Sequence, residues 1–75
     1  MKLYKYAASI MFSREGVNML EFSHSVEIIE ASDEVFAHKA AWSFGEANPP
    51  GKENGWTIDD IKVKKIVGRN SRNTV

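Results

Sequence analysis

Tyr4-Lys5-Tyr6-Ala7-Ala8-Ser9-Ile10-Met11-Phe12 and Leu20-Glu21-Phe22-Ser23-His24-Ser25-Val26-Glu27-Ile28 decide the fold. Tyr4, Tyr6, Ala8, Ile10 and Phe12 recur at every second position, and so do Leu20, Phe22, His24, Val26 and Ile28. Side chains alternate faces along a strand, so each run presents one mostly apolar face. Ser13-Arg14-Glu15-Gly16-Val17-Asn18 joins them as the loop of an antiparallel hairpin, with Gly16 or Asn18 supplying the positive φ of the turn. The two apolar faces are expected to lie together, and the rest of the chain to cover them. The first strand is also half apolar on its second face (Leu3, Ala7, Met11), which suits a central position. Ile28-Ile29-Glu30 breaks the alternation and marks a bulge or the end of the second strand.

Ala31-Ser32-Asp33-Glu34 reads as a helix start, with Ser32 as cap and two acids at the positive end of the helix dipole. The helix is expected from Asp33 to Phe44 or Ala47, ended by Gly45. At about 100° per residue, Phe36, Ala37, Ala40, Ala41, Phe44 and Ala47 form its sheet-facing side. Val35, His38 and Trp42 form a second stripe, flanked by Lys39 and Glu46. Asn48 to Gly55 is a loop by its two prolines and two glycines. In the segment after Trp56, Ile61, Val63, Lys65 and Val67 alternate against Lys62, Lys64 and Ile66, which predicts a strand from Thr57 or Ile61. A short helix competes there, through the capping-box-like spacing of Thr57 and Asp60. The lysines suit an edge.

The expected fold is α+β: a three-stranded antiparallel sheet built as β-hairpin, helix, strand, with one helix packed on one face. Strand order two-one-three places the most apolar strand in the centre. Residues 1–68 form a single domain and residues 69–75 a basic tail.

Composition bounds the function. The chain has 75 residues, 43% hydrophobic and 27% charged, an ordinary globular balance with a thin core. It has no cysteine, so disulfides and thiolate metal sites are excluded and a reducing cytoplasm is permitted. Self-association is then a remaining route to stability. No apolar run approaches the roughly 18 residues of a membrane span. Lys5 interrupts the N-terminal apolar stretch, which argues against a signal peptide. The formal net charge is zero but polarised. Glu21 to Glu46 holds six acids against one base, whereas Ile61 to Val75 holds five bases and no acid.

Candidate sites follow from these patterns. His24 is suited to base or metal chemistry, but one histidine needs a nucleophile or further ligands to make a site. Asp33-Glu34 and Asp59-Asp60 are adjacent pairs whose side chains diverge, so neither makes a carboxylate dyad. No phosphate-cradling glycine loop is present. The sequence therefore points away from an enzyme, a cofactor and a metal. Lys62, Lys64, Lys65, Arg69 and Arg72 can contact phosphates, and nucleic-acid association is the alternative reading. The preferred surface is Val35, His38, Lys39, Trp42 and Glu46: an apolar patch with a tryptophan and a charged rim has the character of a protein contact. Covering of Trp42 by the Pro49-Pro50 loop or by Trp56 is the competing reading.

In size and plan the chain resembles small bacteriophage accessory proteins, including host-takeover and anti-defence inhibitors. The resemblance is to a class and rests on no diagnostic motif. It implies a non-catalytic cytoplasmic binder whose partner is a host or bacterial protein, with homo-oligomer formation possible for a domain of this size.

Overall fold

The computed structural model describes residues 2–51 and 54–66. It consists of strand β1 (Tyr4–Glu15), strand β2 (Leu20–Ala31), helix α1 (Glu34–Ala47) and strand β3 (Thr57–Lys65). The sheet is antiparallel throughout, in the order β2-β1-β3. Fold class, element order and the central place of β1 are those expected from the alternation. Val67, Gly68 and the 69–75 tail lie outside the described residues.

β1 earns its central position. Tyr6, Ala8, Ile10 and Phe12 are buried beneath α1, and Ile61 of β3 joins them. Burial pushes the Tyr6 phenol above its ordinary pKa, and the nearby acids Asp33 and Glu34, with Tyr4, add to the effect.

The hairpin faces differ from expectation. The loop is Gly16 to Met19, closed by a bond from the Gly16 amide to the Met19 carbonyl, and the left-handed residue is Asn18 (φ 71°), not Gly16. This loop pairs Glu15 with Leu20 and carries that register down the hairpin, so that Tyr6 lies opposite Ile29 and Phe12 opposite Ser23. Directly opposed residues share a face. The even-numbered residues of β1 therefore share the helix side with the odd-numbered residues of β2. Leu20, Phe22, His24, Val26 and Ile28 fall on the other, open side of the sheet, and all five are exposed. Phe22 is 65% exposed.

The helix boundaries also shift. Asp33, not Ser32, is the cap: its Oδ1 accepts from the Phe36 amide at 3.0 Å. Gly45 does not end α1. It lies buried inside the helix, where an added Cβ would meet Ile58 Cδ1 at 2.9 Å. The helix ends at Asn48, whose backbone amide and side-chain Nδ2 both donate to the Phe44 carbonyl. The buried line of α1 is Ala37, Ala41 and Gly45, a row of small side chains that brings the helix axis close to the sheet. Phe36 and Phe44, expected to fill the gap, are displaced from it: Phe36 is 56% exposed and Phe44 lies at the margin. A helix of 14 residues also spans only about 21 Å, against about 40 Å for a 12-residue strand. The tip of the hairpin therefore projects beyond its cover.

β3 begins at Thr57, which settles the strand reading over the short helix. Met11 pairs with Asp60 and Phe12 with Ile58, so Asp59 is the extra residue of a bulge. Its Oδ1 accepts from Ser13 Oγ at 2.9 Å.

Candidate binding surfaces

Two surfaces expose apolar side chains in an ordered array. The first is the groove between α1 and β3. Ala37, Ala41 and Gly45 hold the helix down, and the residues one step around it face the third strand. Near the N-terminal half of α1, Val35, His38 and Lys39 line a cleft with the β3 segment Ile61, Lys62 and Val63. Near the C-terminal half, Trp42 and Glu46 face Trp56 and Ile58 across a cleft of about 430 Å³. The five residues singled out from the helix pattern are thus divided between two clefts along α1 and β3, with Val35, His38 and Lys39 at one and Trp42 and Glu46 at the other. The sequence did not reveal their opposite wall, because that wall comes from β3, in contact only through the tertiary fold.

Trp42 is neither free nor enclosed, with 42% of its surface exposed. Pro49 and Trp56 approach it as walls of the same cleft. Trp56 is the more buried of the two indoles and packs on the Ile10–Phe12 core. Arg14 lies over its ring at 5.4 Å and is held there by a two-point pair to Glu21, at 2.6 and 3.0 Å. Among the described residues the Trp56 Nε1 is buried without a hydrogen-bond partner.

The second surface is the open face of the sheet. Leu20, Phe22, Val26 and Ile28 run along β2, with Ala7 and Met11 beside them on β1. Toward β3 the same face turns charged, with Asp60 opposite Met11, Lys62 opposite Ser9 and Lys64 opposite Ala7. Lys65 points to the other side, with its ammonium 3.7 Å from the centre of the Tyr4 ring. The described lysines of the basic run are therefore divided between two faces. Arg69 and Arg72 lie outside the described residues.

His24 sits on this open face, and its Nε2 is 2.5 Å from Ser9 Oγ. The hydroxyl partner comes from the neighbouring strand, so sequence spacing could not show it. A nucleophile–base pair also needs a group to orient the imidazole and donors for a developing oxyanion. This pair lies exposed on a pleated surface that encloses no substrate. Among the described residues no group of three or more His, Asp or Glu side chains converges to hold a metal.

No family model, curated protein or solved structure matches the chain. Among the described residues no helix is long and apolar enough to cross a membrane.

Proposed function

We infer that this chain is a small non-catalytic protein-binding module whose partner seats in the groove between α1 and β3. The observation that carries this reading is the half-exposed Trp42, on the same helical stripe as Val35 and His38, which lines a cleft with Trp56 and Ile58. A partly buried indole at the wall of a cleft offers a large contact area at low conformational cost. Glu34, Lys39 and Glu46 put charge of both signs beside the two clefts, which selects for register more than for bulk charge. The small phage inhibitors that the chain resembles in plan act by occluding a bacterial protein, and a cytoplasmic partner of that kind suits a cysteine-free chain.

The test is retention of proteins from the native cytoplasm on the immobilised chain, compared with Trp42→Glu. A partner held by the wild type and lost from a Trp42→Glu variant with unchanged circular dichroism supports the groove. Equal retention by the variant, or unfolding that shows Trp42 to be core, overturns it. Mobility shifts on DNA and RNA at two salt concentrations separate the nucleic-acid alternative, which would require salt-sensitive binding through Lys62 and Lys64.

A further inference from the structure

The two edges of the sheet are built differently. β3 carries a bulge at Asp59 and the lysines Lys62, Lys64 and Lys65, devices that discourage a further strand from adding. β2 has neither. Its 12 residues contain no proline or glycine, its register with β1 is unbroken, and among the described residues its outer edge has no neighbour in the sheet. Four of the exposed apolar side chains of the chain, Leu20, Phe22, Val26 and Ile28, stand along this same strand, whose charges are Glu21, Glu27 and Glu30.

We propose that β2 pairs antiparallel with β2 of a second copy, about a two-fold axis at Ser25, to form a continuous six-stranded sheet. An isologous antiparallel pair keeps both helices on one side of the sheet, so open-face residues meet open-face residues. With Ser25 on the axis, Phe22 lies opposite Ile28 of the second copy, twice, and Glu21 and Glu27 lie opposite Ile29 and Ser23. No like charges are opposed. Moving the axis to His24 sets Glu21 against Glu27, and moving it to Val26 sets Phe22 against Glu30. Pairing β2 with β3 of a second copy would instead lay the apolar row against Lys62 and Lys64 and would not close. The strand edge is about 40 Å long and narrow, which places the contact among the smaller interfaces, below about 1,200 Å², whose assembly is reversible.

Solution mass across a dilution series, with cysteine crosslinking, tests the pairing. The chain has no native cysteine, so a single introduced one reports its own neighbour. The wild type is expected to approach twice the monomer mass on concentration. Ser25→Cys should oxidise to a covalent dimer, because residues opposed across an antiparallel pair lie within disulfide reach. Ser23→Cys should not, since its twin lies roughly four residues, about 13 Å, along the strand. Val26→Lys, at a position already more than half exposed, should stay folded and monomeric, whereas Trp42→Glu should still dimerise. A wild type that remains monomeric, a dimer that crosslinks at Ser23→Cys as readily as at Ser25→Cys, or assemblies larger than two would overturn the proposal.

Discussion

Gly45 shows how much the fold asks of one position. A glycine inside a helix costs about 1 kcal/mol relative to alanine, yet here it lets α1 approach Ile58, Ile10 and Phe12. An alanine Cβ would lie 2.9 Å from the mobile end of Ile58 and 3.4 Å from Ile10 Cγ2. The helix gain and the local crowding oppose each other, so Gly45→Ala should change stability by less than about 1 kcal/mol. Gly45→Val adds two further methyl groups beyond that Cβ against the same wall and should cost about 1–3 kcal/mol. The sign of the crowding can be isolated. In an Ile58→Val background the Cδ1 atom is gone, and Gly45→Ala should then stabilise by up to about 1 kcal/mol. Urea unfolding of the four variants measures this. Equal effects of Gly45→Ala with and without Ile58→Val would mean that the contact with Ile58 does not limit the approach.

At the level of elements, α1 is started by a side chain that can be distinguished from its neighbour. Asp33→Ala removes the acceptor for the Phe36 amide and should cost about 1 kcal/mol. Ser32→Ala should stay within about 0.5 kcal/mol, because Ser32 lies outside the cap. Reversed magnitudes in denaturant unfolding would place the cap one residue earlier, where the sequence alone puts it. That misplacement is typical of what was and was not legible. Strand periodicity located β1, β2 and β3 well, since alternation is a property of each segment alone. It could not tell which faces meet, because that depends on whether the loop after Glu15 holds an even or an odd number of residues. Gly16 and Asn18 were both credible turn residues, but sliding one turn type between them keeps the same faces together, whereas one residue more or less in the loop moves a whole strand to the other side of the sheet. The helix was misjudged for a related reason. Counting hydrophobicity favours Phe36 and Phe44 as the inner face, whereas close approach to a sheet favours Ala37, Ala41 and Gly45. The Val35, His38 and Trp42 stripe was legible from its helical spacing. The clefts it lines were not, because Ile58, Ile61 and Val63 reach them only through pairing between β1 and β3.

For the whole molecule, the central fact is a single helix serving one face of a sheet with much longer strands. Ala8 and Ile10 are fully buried on that face, while Phe22 and Ile28 remain more than half exposed on the other. The charge division read along the chain becomes a division across the sheet, with Glu21, Glu27 and Glu30 on the β2 side and Lys62, Lys64 and Lys65 on the β3 side. A chain with so thin a core gains from any second copy that covers β2, since a partner that binds only the folded state shifts the unfolding equilibrium by mass action. Thermal stability should therefore depend on concentration. Tenfold in concentration is worth about 1.4 kcal/mol per dimer, or half that per chain, and raises the melting temperature of a domain this size by about 3–5 °C. Val26→Lys should melt at a temperature independent of concentration, close to that of the dilute wild type. Calorimetric or circular-dichroism melts over a hundredfold range, about 6–10 °C in expected shift, make the comparison. Parallel behaviour of the two proteins would separate the exposed β2 row from the stability of the fold.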